Sequence, residues 1–198
     1  MQPIERVDDL FAHQRAVRAF ADRDVDEALV ERVLAAATRA PSGSNTQPWR
    51  FVVVRDPGVK AQLGEAYEDA LRETYGGRGG GAGAAGPERT PWTRVPVLIV
   101  ACVQVPARTG QAGFQTGASI YPACQNLMLQ ARALGLGTVL TTMHRRRRER
   151  IHEILGIPAG YDTAAIIPLG WPTQPYGRSR RPPAASVTMR DRWDPARE

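Results

Sequence analysis

Arg39 to Val54, RAPSGSNTQPWRFVVV, is the stretch whose reading decides the fold. Pro41 and Pro48 each fix φ and disfavour a helix on the residue before them, so the helix leading into the stretch ends here. Ser42, Ser44, Asn45, Thr46 and Gln47 between them carry side-chain hydrogen-bonding groups, and Gly43 lets a backbone come close. Trp49 and Phe51 open an apolar run, Phe51-Val52-Val53-Val54, which reads as a buried strand. A rigid polar loop at the edge of a sheet suits a flat ligand with hydrogen-bonding edges. Taken alone, it reads equally as an ordinary helix-to-strand turn, because Pro, Gly, Ser and Asn dominate all turns.

Working outward, Asp26 to Ala40 has Leu29, Val33, Ala36 and Ala37 at helical spacing, with Asp24 or Asp26 as the cap. Upstream, Arg15 and Arg18 are three apart and would share a face of a helical turn. Such a pair clamps a phosphate or is a solvated surface pair. Downstream, Asp56-Pro57-Gly58 reads as a turn, and Lys60 to Tyr75 as a helix. The run Gly76 to Pro87 is of low complexity and reads as a loop. Gly81, Gly83 and Gly86 match G-x-G-x-x-G, but the dinucleotide turn needs a strand before it and a helix after it. Here glycines precede it and a proline-bearing segment follows.

Val95 to Val103 is continuously apolar, as a strand buried on both faces would be. Gly110 to Gly117 is polar and glycine-rich. Ile120 to Leu134 is apolar almost all round, which predicts a central helix or an oligomer interface, ended by Gly135 and Gly137. Further strands are expected over Thr138–Thr142 and Ala164–Leu169. Between them, Arg145 to Arg148 and Arg150 open a helix against its dipole, with Glu149 the local counter-charge. This run reads as a solvated helix face. An anionic ligand bound at the run is a second reading. No interleaved aromatics or reading module accompany the arginines, so nucleic acid is not expected.

Composition sets bounds. The chain has 198 residues, 42% hydrophobic and 23% charged, with a net charge of +6. That predicts one soluble globular domain. No apolar run has the length of a membrane span and the N-terminus lacks a signal pattern, so a cytoplasmic location is expected. Cys102 and Cys124 fall in apolar segments and read as reduced core residues. His13, His144 and His152 form no metal motif, so no metal is expected.

Four landmarks in order carry a resemblance: Gln14–Arg18, Ala40–Trp49, Ala131–Gly137 and Ile167–Pro172. Along almost its whole length the chain resembles the FMN-dependent nitroreductase family. The resemblance implies an α+β fold, a three-layer sandwich with a mixed, mostly antiparallel sheet flanked by helices. It implies one domain, residues 1–198, forming a homodimer with two FMN sites at the interface and the tail 173–198 wrapping the partner. Arg15 and Arg18 would bind the FMN phosphate with Arg180, and Gln14 lies in the same motif. Ser42 and Asn45 would reach the flavin of the other subunit, Leu140 and Thr141 would touch the ring, and Ser44 would meet substrate. Gln14 and Ala16 depart from the usual arginine and serine, leaving fewer side-chain donors. The region 76–87 lacks the Glu, Tyr and Lys lid of the iodotyrosine deiodinases, and the loop differs from that of the flavin-cleaving relatives, so neither activity is expected. The activity implied is ping-pong hydride transfer from NAD(P)H through FMN to a nitroaromatic or quinone, with no protein acid or nucleophile in the redox step. Alternatives are a flavin-dependent dehydrogenase or tailoring enzyme on the same scaffold, and a non-catalytic flavin- or nucleic-acid-binding protein.

Overall fold

Strand β2 (Val97–Gln104) runs through the middle of the protein, buried along its length up to Gln104. Its side chains alternate between two cores, as a period of two requires. Val97, Ile99, Ala101 and Val103 pack on one side with Val30 and Val33 of α2 (Glu27–Ala37) and Ile120, Cys124 and Leu127 of α4 (Phe114–Ala133). Leu98, Val100 and Cys102 pack on the other with Leu63 and Ala66 of α3 (Pro57–Tyr75) and Ile151 of α5 (Arg148–Leu155). The computed structural model describes residues 6–75, 89–106 and 113–193. It gives the sheet order β1 (Trp49–Val54), β2, β4 (Tyr161–Gly170), β3 (Gly137–Thr138), with every neighbouring pair antiparallel. A parallel bridge, Ala16 to Thr138, adds the mixed character. This is the expected α+β sandwich of helix, sheet and helix layers.

Several boundaries move, each for a physical reason. β1 is an edge strand, so Phe51, Val52 and Val53 are half-buried rather than buried. Asp56-Pro57-Gly58 is a helix start: Pro57 is the first residue of α3, where its missing N–H costs nothing. The Asp56 carboxylate accepts from Val59 N at 2.8 Å. Asp26, rather than Asp24, caps α2, accepting from Ala28 N at 2.8 Å. α4 begins at Phe114, before the apolar stripe starts, with Gly113 N donating to Thr116 Oγ1 at 2.7 Å. Tyr121, on the exposed side of the helix, is 41% exposed. Gly135 takes φ +84° and Leu136 N reaches back to Ala131 O at 2.9 Å, a left-handed stop. The run 76–87, with its Gly81, Gly83 and Gly86, lies outside the described residues.

The expected strand Thr138–Thr142 is interrupted. Only Gly137 and Thr138 ladder with β4, and Thr141 rejoins it through paired 3.0 Å bonds with Ile166. Val139 and Leu140 between them face a cavity. The helical turn expected at Arg15 and Arg18 is absent. α1 (Val7–His13) stops, Gln14 is extended, and Val17 N donates to Thr138 O at 2.8 Å. Segment 14–20 is therefore strand-like, held to the far edge of the sheet. Gly137 permits that approach, because a Cβ there would lie 2.7 Å from Val17 Cγ1.

Candidate functional site

The loop after α2 is strained and polar. Ser44, Asn45 and Gln47 take φ of +50°, +55° and +48°, a region that costs about 1–2 kcal/mol per non-glycine residue. Local bonds hold it there. Gln47 N donates to Ser42 Oγ at 2.9 Å, Thr46 Oγ1 to Gly43 O at 2.9 Å, and Gln47 Nε2 to Asn45 Oδ1 at 3.3 Å. Gly43 N donates to Ser119 Oγ of α4 at 3.3 Å, which fixes the loop to the body. Ser44 and Asn45 are exposed and Ser42 half-buried, so the strain presents polar groups outward.

The arginine segment lies at the other end of α4. His13, Gln14, Arg15, Arg132 and Tyr176 line a small recess there. The Arg15 guanidinium sits 5.5 Å from the Tyr176 ring centre. Gln14 Nε2 points to Met128 Sδ at 3.7 Å, so its amide turns inward. Arg132, which motif reading did not single out, is buried, and burial lowers its pKa. The tail returns along α1: Ser179 N and Oγ both donate to Ala12 O, at 2.7 and 3.1 Å, which brings Arg180 to the same corner.

Arg18 faces an adjoining cavity of about 320 Å³. Leu140 and Thr141 line it with Tyr67, Tyr75, Arg89 and Trp92. Consecutive residues divide between the two spaces, Val17 and Thr138 to the recess, Arg18 and Val139 to the cavity. The Thr141 N–H donates to Ile166 O at 3.0 Å, and its hydroxyl oxygen accepts from Met143 N at 3.4 Å. Arg15, Arg18 and Arg180 form no ion pair with the described residues.

One chain thus sets Arg15 at the recess and Arg18, Leu140 and Thr141 at the cavity beside it, with the segment carrying Arg180 alongside α1. It does not bring Ser42, Ser44 and Asn45 to them. The loop is pinned at Ser119 and the recess reaches Arg132, thirteen residues along α4 and about 20 Å away at 1.5 Å per residue.

The arginine run is paired with carboxylates of the chain itself, although Arg146 and Arg150 stay about half exposed. Asp162, fully buried on β4, accepts from Arg145 Nη1 at 3.3 Å and Arg148 Nε at 2.8 Å, and His152 Nε2 lies at 3.3 Å. Arg146 and Arg147 pair with Glu73, and Arg150 with Glu65 and Asp69. The carboxylates come from β4 and α3, which sequence spacing around the run does not show. Asp162 faces the helix start and offsets the dipole penalty. His144 is fully buried beside this network. Burial pushes its pKa down to about 4, so the ring is neutral. Burial also pushes the Cys102 thiol up to about 11, helped by the Asp162 carboxylate, and Cys124 up to about 12; both are free core thiols. No helix among the described residues is long and apolar enough to cross a membrane.

The Nitroreductase family model matches residues 12–171. A NADH dehydrogenase of Thermus thermophilus is 32% identical over 198 residues, spanning 89% of this chain and 91% of that one. An iodotyrosine deiodinase of Haliscomenobacter hydrossis is 31% identical over 173 residues, 82% of this chain and 77% of its own. The crystal structure of an oxidized iodotyrosine deiodinase bound to FMN and 3-iodo-L-tyrosine superposes with a TM-score of 0.77. It is 25% identical, and the match covers 96% of this chain and 100% of that one.

Proposed function

The chain belongs to the nitroreductase family of flavoprotein oxidoreductases, and from that premise we propose that it uses FMN to pass reducing equivalents from NAD(P)H to an electron-poor acceptor such as a nitroaromatic or quinone. The observation that carries the reading is the separation of the two half-sites along α4. A loop and an arginine corner about 20 Å apart on one chain meet across a twofold axis, because in such an interface residue i of one copy faces residue j of the other and the reverse. The homodimer is therefore part of the proposal, with two equivalent sites and the tail 173–198 lying across the partner.

The donor set fits FMN. Arg15 and Arg180 are guanidiniums suited to a phosphate. Arg18, Leu140 and Thr141 border a cavity in the size range of small-molecule sites. From the partner copy, Ser42 and Asn45 offer hydrogen bonds to the edge of a flat ring, and Ser44 stands where substrate would meet them. Bound FMN supplies the two-electron chemistry, accepting hydride from a nicotinamide and delivering it to the acceptor. The chain's own residues bind and orient. The cavity's described lining residues include no histidine and no carboxylate. A site filled in turn by NAD(P)H and acceptor predicts ping-pong kinetics.

The test is the absorbance spectrum of the purified protein, followed by anaerobic titration with NADH and NADPH and reoxidation by a nitroaromatic and a quinone. Flavin that bleaches with a nicotinamide and recovers with an acceptor is expected. Protein that stays colourless after FMN is added and free flavin removed overturns the proposal. Sedimentation of a fully active monomer overturns its dimeric half.

A further inference from the structure

Among its described lining residues, the cavity beside Leu140 has two cations, Arg18 and Arg89, and no carboxylate. Thr90 N donates to Arg18 O at 2.9 Å, and Phe20 N donates to Thr90 Oγ1 at 2.8 Å. These bonds stitch the segment that carries Arg89 to the segment that carries Arg18, so both guanidiniums line one cavity. Neither pairs with a carboxylate among the described residues, and no Asp or Glu is among the cavity's described lining residues. Elsewhere, concentrated arginines have acidic partners, as Arg145 and Arg148 have Asp162. Two like charges facing one partly desolvated space repel each other. An anion entering that space relieves the repulsion.

Arg89 is also held in position. Its Nη1 donates to the Tyr67 hydroxyl at 3.2 Å and its guanidinium lies 5.7 Å from the Tyr67 ring centre. Tyr67 in turn stacks on Trp92, with centroids 4.4 Å apart and planes 19° apart. The cavity wall is therefore aromatic, with Tyr75 and Phe20 adding two more rings. At about 320 Å³ it has room for small ring compounds.

We propose that this cavity admits a single-ring aromatic acceptor bearing a carboxylate, and that Arg89 is the residue that holds the carboxylate. The inference rests on the flavin reading for the acceptor's chemistry and on the cavity alone for its charge. Arg18 borders Leu140 and Thr141 and serves the cofactor. Arg89 comes from the segment preceding β2 and faces the same space from the α3 side, where Tyr75 ends the helix. A charge-assisted contact of this kind is worth at least about tenfold in affinity.

The test compares 4-nitrobenzoate with 4-nitrobenzamide, which share ring and nitro group and differ in charge. Dissociation constants are read on the purified protein, with FMN supplied, from tryptophan fluorescence and from the flavin spectrum. The expected result is a preference for the benzoate of roughly tenfold or more, collapsing to about one in Arg89→Gln and partly kept in Arg89→Lys. Tyr67→Phe, which removes the Arg89 anchor, is expected to reduce the preference in between. Equal binding of the two compounds by the native protein overturns the inference. So does an Arg89→Gln protein that loses FMN while keeping the benzoate preference, since Arg89 would then serve the cofactor. A colourless protein that still prefers the benzoate overturns the flavin reading and supports the cavity's charge selectivity. A yellow protein that binds both equally overturns the cavity assignment alone.

Discussion

Gly137→Ala tests whether packing at the sheet edge positions the cofactor arginines. The new Cβ would sit 2.7 Å from Val17 Cγ1, 2.8 Å from Val17 Cβ and 3.0 Å from Pro172 Cγ. Val17 is 2% exposed and β-branched, so neither it nor the proline ring can swing clear. The segment must move outward by several tenths of an ångström or more, and the 2.8 Å bond from Val17 N to Thr138 O lengthens with it. Overpacking of this kind costs about 1–3 kcal/mol, and weakening one backbone bond adds about 0.5–1.5 kcal/mol. A total of roughly 2–4 kcal/mol lowers Tm by about 4–16 °C in a chain of this size. Arg15 and Arg18 flank Val17, so flavin affinity should fall as well. Displacements near 1 Å at a positioning element cost up to about a hundredfold. The assay is thermal denaturation by circular dichroism of the flavin-free protein, with FMN affinity measured separately by fluorescence. Gly43→Ala is the control, since a Cβ there meets nothing within 4 Å. A Gly137→Ala protein with unchanged Tm and unchanged FMN affinity refutes the reasoning.

Arg15→Ala should weaken FMN binding by roughly 1.5–3 kcal/mol, about ten- to a hundredfold, in a fluorescence titration, with little change in flavin-free Tm because Arg15 is exposed. Asp162→Ala should destabilise by about 3–5 kcal/mol in urea denaturation, since it leaves Arg145 and Arg148 without their buried counter-charge. Glu73→Gln, at a half-exposed pair, should cost under about 1 kcal/mol in the same assay. His144 gives a pH signature. Its folded pKa lies near 4, below the ordinary 6.5, so the unfolded chain binds more protons between those values and stability falls as pH drops through that window. A His144→Leu protein should show a shallower acid limb in Tm against pH from about 6.5 to 4.

Local pattern and tertiary structure contributed different things here. β2 was legible because a strand buried on both faces must be continuously apolar, and α2 because its apolar stripe recurs at helical spacing with an acidic cap before it. The start of α4 was hidden, because Phe114, Gln115 and Gly117 carry no core pattern there, Phe114 being 96% exposed. Spacing misread the arginine segment, since docking on Thr138, a contact more than 100 residues away in sequence, overrides any helical turn.

The order of the motifs, the polar loop and the two buried strands were determined by the sequence itself, since each rests on steric and hydrophobic preferences that act over a few residues. Three things required the fold. The Asp162 network, the cavity that unites Arg18 with Arg89, and the distance along α4 between the two half-sites each join segments far apart in the chain. Charge compensation and cavity shape depend on distances through space, and residue spacing carries no information about those until the strands have paired.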